Sequence, residues 1–155
     1  MAPAARHFGA KLRKDTMARI LPPAPPSALP AALLLLGWHA LLAADYVITR
    51  FQLGAPGWPV LMASLPLDAL WLRVVWALGV WLGFGAAFFL LIRDNAAVLL
   101  FFAAGASFAA LAVGLVMGAP PVIFVPLPAL LALLVLVPMA GWLYVRRLNQ
   151  RGLLR

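Results

Sequence analysis

Residues 95–145 read NAAVLLFFAAGASFAALAVGLVMGAPPVIFVPLPALLALLVLVPMAGWLYV, a run of 51 residues with no charged side chain and no His. A helix needs about 20 predominantly apolar residues to cross the hydrocarbon core of a bilayer. The run is therefore too long for one span and long enough for two. Gly and Pro interrupt helices, so Gly118-Ala119-Pro120-Pro121 near its middle predicts the turn between them.

The composition of the whole chain points to a membrane. Of its 155 residues, 66% are hydrophobic and 10% are charged, whereas soluble domains average about 25% charged residues. Too little polar surface is left to cover a water-soluble fold, and the apolar content is too high for a disordered chain. Cys is absent, which excludes disulfides, thiol nucleophiles and Cys-ligated metal sites.

Two further apolar stretches lie upstream and complete a set of four predicted spans. Residues 27–44 are uncharged when His39 is neutral, and residues 74–92 form the second uncharged stretch. We predict an all-α, polytopic membrane protein in which four transmembrane helices form a bundle. The predicted helices lie near residues 28–48, 69–92, 96–117 and 123–145.

Polar residues and prolines mark the ends of these helices. Asp68 precedes the second apolar run and is expected to cap it. Residues 93–95, Arg-Asp-Asn, predict a short hairpin, which makes the second and third helices antiparallel neighbours. Pro126 and Pro128 fall in the first turns of the fourth helix, where a missing N–H costs least.

Charge is distributed unevenly along the chain. Residues 1–26 hold five basic residues and one Asp, a net +4; residues 146–155 hold four Arg, also +4; the three Arg and three Asp between them cancel. Four spans put both tails on one side of a membrane, and an excess of Lys and Arg marks the cytoplasmic side. We predict a basic, Pro-rich cytoplasmic tail (1–26), a transmembrane domain (27–145) and a basic cytoplasmic tail (146–155).

A cleaved signal peptide is the alternative interpretation of the first apolar run. The basic start, the apolar run and Leu42-Ala43-Ala44 resemble the three regions of such a peptide. The run is longer than the usual apolar region of about 7–15 residues, and Trp38-His39 interrupts it. A retained first span is therefore favoured.

Polar side chains inside or beside the predicted spans are the candidate functional residues. His39 lies near the middle of the first helix, where an ionisable side chain is costly and by default marks a functional site. Its alternative role is a neutral imidazole that hydrogen-bonds another helix. Asp45 and Arg73 fall at a shared depth near the outer helix ends and predict an ion pair, either a register clamp or a site for a polar or anionic group. Arg50 and Asp68 predict a looser pair at the membrane surface.

Small and aromatic residues indicate how the helices pack. Small residues recur at every fourth position of the second and third helices: Gly79, Gly83 and Ala87, and Ala106, Ala110, Gly114 and Gly118. Such stripes let helix backbones approach closely, and we expect both to face the core of one chain, with a dimer interface as the alternative. Trp71 and Trp76 are expected at the membrane interface. Residues 49–67 predict a short helix on the outer membrane surface, or alternatively a lid over an outward-facing cavity.

The four arginines of the second basic tail predict binding to anionic phospholipid headgroups: Arg146, Arg147, Arg151 and Arg155. The last three are four residues apart and would share one helical face. The sequence contains no enzyme motif, no DNA-reading module and no pore-lining polar ring. We therefore expect no enzymatic activity, no cofactor, no metal site and no nucleic-acid partner.

The chain resembles a family of small bacterial four-helix inner-membrane proteins. The resemblance is carried by Trp38 with Tyr46 eight positions later, by residues 71–93, and by the segments 144–147 and 151–153. Members of this family are often automatically labelled "sugar transporter", so the resemblance implies a membrane protein with a solute pathway. It brings no catalytic or binding residues with it.

These observations predict a small integral inner-membrane protein that is transporter-like for a small polar solute. His39, Asp45 and Arg73 are the residues expected to meet the solute. The alternative is a non-enzymatic accessory or assembly subunit that binds a larger membrane complex through its small-residue faces. The bilayer is the expected partner in both cases, with a homo-oligomer or a larger complex beyond it.

Overall fold

A computed structural model describes residues 25–54, 61, 65–118 and 126–155. Within these residues the fold is helical, and four helices are long and apolar enough to cross a membrane: α1 (Ala28–Phe51), α2 (Leu70–Leu91), α3 (Ala96–Gly118) and α4 (Pro126–Gln150). The four predicted helices are confirmed. Expectations for residues 1–24, 55–60, 62–64 and 119–125 lie outside the described residues.

The largest difference from the predicted bounds is at the end of α4. This helix continues to Gln150, so residues 146–150 of the predicted tail are helical. Its first residue is Pro126, as expected of a residue that has no N–H to satisfy.

Helices α1, α2 and α4 end in the same kind of turn. Gln52, Arg93 and Gly152 adopt left-handed conformations with φ of 55°, 62° and 67°. In each case the N–H of the next residue donates to the carbonyl five residues earlier, at N···O distances of 2.9–3.1 Å. This is the Schellman motif, which satisfies carbonyls that would otherwise lack a partner at a helix end.

The start of α2 differs from the prediction that Asp68 caps it. The N-cap residue is Ala69, and no side chain bonds the first turn. Asp94 does perform this role for α3, because its carboxylate accepts a hydrogen bond from the N–H of Ala96 at 2.8 Å. The 93–95 hairpin is confirmed and makes α2 and α3 antiparallel neighbours.

The helices pack in the order of the chain. α2 and α3 form the most extensive contact, α3 packs on α4, α1 packs on α2, and α1 barely touches α4. The hydroxyls of Ser27 and Tyr144 lie 3.4 Å apart, so the start of α1 and the end of α4 are at one end of the bundle. α2 and α3 are therefore central, and α1 is held almost entirely by α2.

A large side chain of α3 fills one of the glycine positions of α2. The Phe108 ring occupies the space where Gly79 would carry a Cβ, and it meets Trp76 edge to face, with ring centroids 5.8 Å apart. Trp76 is fully buried, so its ring faces the protein core and not the surroundings, unlike a side chain that anchors a helix at a membrane interface. The small stripe of α2 faces the core as predicted.

The small stripe predicted on α3 does not face the core. Ala106, Ala110 and Gly118 are exposed, and only Gly114 meets a neighbour, the ring of Trp71. The prediction is wrong because α3 turns its larger side chains toward α2. These larger side chains fit against glycines that a second small stripe would leave unfilled.

The connection between α1 and α2 packs into one end of the bundle. Leu65 and Leu67 are buried in a cluster that also contains Leu72 of α2 and Leu115 of α3. Of the predicted surface helix, the side chains of Leu65 and Leu67 therefore pack into the protein.

Residues 151–155, here called the C-terminal strap, fold back over the opposite end. The strap begins at the Gly152 turn, and its Leu154 side chain is only 8% exposed. The N–H of Arg155 donates to the Arg93 carbonyl at 3.0 Å, and the N–H of Asn95 donates to the Arg155 carbonyl at 2.9 Å. Arg155 therefore does not share a helical face with Arg147, because α4 has already ended.

Candidate functional site

His39 lies at the centre of the bundle, midway along α1. Its side chain is 0% exposed. The ring packs directly on the backbone of Gly83 in α2, where an added Cβ would overlap its Nδ1 and Cε1 atoms. On α3, the Phe101 ring lies with its centroid 5.9 Å from that of the imidazole, at an interplanar angle of 50°. Three helices thus enclose the imidazole, and the missing side chain of Gly83 makes the room.

Both ring nitrogens of His39 are buried and have no hydrogen-bond partner among the described residues. The predicted alternative, an imidazole that hydrogen-bonds another helix, is therefore not what this part of the chain shows. A buried polar group without a partner costs about 1–3 kcal/mol. The Nδ1–Cε1 edge faces Gly83, so Nε2 is the nitrogen that lies away from this contact.

Two indole N–H groups near the core share this property. Nε1 of Trp38 and Nε1 of Trp76 are buried without a partner in the described part of the chain. Both rings belong to, or pack against, one buried cluster. These two donors were not predicted from the sequence as part of a site. The available signal was the position of Trp38 beside His39 and of Trp76 two turns before Gly83.

Asp45 and Arg73 hydrogen-bond the α1–α2 connection. The Asp45 carboxylate accepts a hydrogen bond from the N–H of Leu61 at 2.5 Å. The Arg73 guanidinium donates through Nε to the Leu67 carbonyl at 2.7 Å and through Nη2 to the Asp68 carbonyl at 3.2 Å. No ion pair joins Asp45 and Arg73, both of which are described, so the structure does not support the predicted pair. Backbone groups of the connection lie at the same depth and are closer to these two side chains. Asp45 and Arg73 therefore hydrogen-bond the backbone and not each other.

Arg50 and Asp68 are both exposed. No ion pair joins them in the described ranges, so the predicted surface pair is not formed either. The two pairs of opposite charge nevertheless lie at the same end of the bundle as the connection. Charge at that end is balanced, as the sequence indicated.

Charge at the strap end is not balanced. The side chains of Arg146, Arg147, Arg151 and Arg155 are all exposed, and the guanidinium of Arg146 lies 5.3 Å from the centroid of the Trp142 ring, a cation–π contact. The carboxylate of Asp94 is already engaged at the start of α3. This end therefore presents a surface suited to anions.

Comparisons of the chain with protein families, with curated proteins and with solved structures find no match. The resemblance to four-helix inner-membrane proteins stays a prediction. In the described residues, no three His or Asp side chains gather as they would around a metal ion.

Proposed function

We propose that the chain is a multi-pass protein of the bacterial inner membrane that moves a small polar solute across the bilayer. His39 is the group that meets the solute, and both chain ends lie on the cytoplasmic side. The observation that supports this proposal is the fully buried imidazole whose two nitrogens lack partners in the described core. A solute that hydrogen-bonds Nε2 would remove the cost of that burial.

The position and surroundings of His39 set the class of solute. Transporter sites lie near the bilayer midplane, and His39 is 11 residues from the start of α1 and 12 from its end. Around it lie Phe101 and the Gly83 backbone, and α2 and α3 carry a formal charge nowhere between Val74 and Gly118 except at the 93–95 hairpin. Such a site favours a neutral solute over an ion.

His39 is enclosed in this structure, so the solute reaches it only when helices move. α1 packs on α2 but barely touches α4. Separation of α1 from α4 would break few contacts, and we propose this seam as the place where the bundle opens.

The test is solute-dependent stability of the purified protein in lipid nanodiscs. We would measure thermal unfolding of wild type, His39→Leu and His39→Asn against a panel of neutral polyols, amides and amino acids. A solute at 100 times its Kd should stabilise wild type by about 2.7 kcal/mol, and His39→Leu should abolish the shift. If no solute stabilises wild type, or if His39→Leu retains the full shift, the proposal is wrong.

The exposed small residues favour a second candidate function, that of an accessory subunit of a larger membrane complex. A Cβ added to Gly37 or Gly118 would meet nothing within 4 Å, and Ala106 and Ala110 face outward. Another helix could approach closely at these places. Purification in mild detergent decides between the functions: a stoichiometric partner that Ala106→Phe removes supports the accessory role, and a lone small oligomer supports transport.

The arginines of the strap end are proposed to bind anionic phospholipid. Each basic residue near an anionic bilayer surface contributes about 1 kcal/mol. Arg147→Gln with Arg151→Gln should therefore weaken co-purification of anionic lipid in native mass spectra, and Arg50→Gln, at the balanced end, should not. Equal lipid retention in the two variants would contradict the proposal.

A further inference from the structure

We infer that the C-terminal strap is a gate, because residues 151–155 cover the end of the bundle to which the contacts of His39 on α2 and α3 are closer, and hydrogen bonds from Arg93 hold these residues in place. The inference rests on the proposed function, since it gives the solute site at His39 an entrance. It makes Arg93 a positioning residue for the strap.

The two groups that enclose His39 on α2 and α3 lie nearer to the strap end than to the other end of their helices. Gly83, on which the imidazole rests, is eight residues from the end of α2 and 13 from its start, or about 12 Å against about 20 Å at 1.5 Å per residue. Phe101, the other ring beside His39, lies only five residues from the start of α3. The contacts of His39 on α2 and α3 are therefore closer to the strap end, while His39 itself lies midway along α1.

Leu154 is buried at this end of the bundle. It belongs to one buried cluster with Leu90 of α2 and with Ala97 and Phe101 of α3. Ala97 and Phe101 are one helical turn apart, and the Phe101 ring lies beside His39. The cluster that contains Leu154 thus also contains Phe101, the ring that lies beside the imidazole.

Arg93 holds the strap in place through both its backbone and its side chain. Its guanidinium donates to the Leu153 carbonyl through Nε at 3.1 Å and through Nη2 at 2.8 Å. Its carbonyl accepts a hydrogen bond from the N–H of Arg155. The side chain and the main chain of one residue therefore bond the strap on either side of Leu154.

The conformation of Arg93 supports a role beyond the turn. With φ at 62°, it occupies the left-handed position of the α2 Schellman motif, where glycine is usual and any other side chain costs energy. Glycine would serve the turn better, but it could not reach Leu153. The guanidinium contact with the strap is what this position gains from arginine.

The strap also makes few enough buried contacts to be released from the bundle. It comprises five residues, and Leu154 is its one fully buried side chain, whereas Arg151, Gly152 and Arg155 are exposed. Short segments with few buried contacts open far below the free energy of global unfolding. The strap can therefore be released before the helices move apart at the seam between α1 and α4.

The experiment measures how fast diethyl pyrocarbonate modifies His39 in nanodisc-embedded protein, read by peptide mass spectrometry without any solute. Arg93→Gly removes the guanidinium that bonds the strap and leaves a residue suited to the turn. Leu154→Ala removes the buried side chain of the strap. We expect His39 modification to become roughly tenfold faster in each variant, as local opening would allow. The matched control is Gln150→Ala, an exposed residue at the same end, which should behave as wild type.

Amide exchange at Asn95 and Arg155 shows in the same samples that the strap has been released. If His39 stays as protected as in wild type in the double variant Arg93→Gly/Leu154→Ala, the gate is refuted. If His39 becomes accessible but no solute ever stabilises the protein, the proposed function fails and the gate stands. If solute binds through His39 and the double variant leaves His39 protected, the gate alone fails.

Discussion

Gly83→Ala is the substitution that most directly tests the packing of His39. The added methyl group would overlap the Nδ1 and Cε1 atoms of the imidazole. Both residues are buried at the contact between α1 and α2, so neither side can move aside freely. Because α1 is held almost entirely by α2, the clash acts on the principal contact of that helix.

The magnitude follows from two opposing effects. Overpacking a well-filled core costs about 1–3 kcal/mol, while replacing Gly by Ala inside a helix gains about 0.5–1 kcal/mol. Gly37→Ala isolates the second effect, because Gly37 is on the same helix as His39 and an added Cβ there meets nothing within 4 Å. We expect Gly83→Ala to be less stable than Gly37→Ala by about 1–3 kcal/mol.

Unfolding in mixed detergent micelles measures both variants, and a double-mutant cycle with His39→Ala assigns the clash. If the methyl group meets the imidazole, His39→Ala should relieve most of the cost of Gly83→Ala, which is a coupling energy of about 1 kcal/mol or more. Equal stability of the Gly83 and Gly37 variants, or additive effects with His39→Ala, would refute the packing described here.

Three further predictions concern the ends and the core of the bundle. Asp45→Ala removes the carboxylate that accepts a hydrogen bond from the N–H of Leu61 and should destabilise the protein by about 1–3 kcal/mol. Asp45→Asn keeps an acceptor oxygen and should reduce the stability less. Denaturant titration compares the two variants, and equal losses of stability would contradict the hydrogen bond. Trp76→Phe removes an indole N–H that has no partner in the described core, so it should cost under about 1.5 kcal/mol of stability. Trp76→Ala leaves a cavity beside Phe108 and should cost about 3–5 kcal/mol by the same titration. Similar costs for the two variants would show that Trp76 is not packed as described. Phosphatase fusions at Met1 and at Arg155 should both be inactive in cells, as expected of cytoplasmic ends, and activity at either one would overturn the proposed topology.

The number of helices and their order could be predicted from the sequence because they depend on properties that are local to the chain. An apolar run of sufficient length and a polar hairpin such as 93–95 determine a helix pair wherever its neighbours lie. Pro126 at the start of α4 follows from its own missing N–H. None of these features requires knowing what another helix does.

Partners across helices could not be predicted, because they depend on how each helix is rotated about its axis. Ala106 and Ala110 form as regular a stripe as Gly79 and Gly83, yet only the α2 stripe meets large side chains. Arg73 shares a depth with Asp45 but bonds backbone carbonyls of the connection. Sequence patterns do not show where those carbonyls lie, since any residue supplies one.

The one-sided attachment of α1 has a consequence for how the molecule is assembled. α2 and α3 are joined by four residues, 92–95, so they can pair early, while α1 reaches α2 across the 18 residues 52–69. We expect α1 to join a preformed three-helix unit last. Until it does, neither the imidazole of His39 nor the backbone of Gly83 is covered by the other helix. A defect at this contact should therefore give a detached first helix beside an otherwise intact protein, not a wholly unfolded chain.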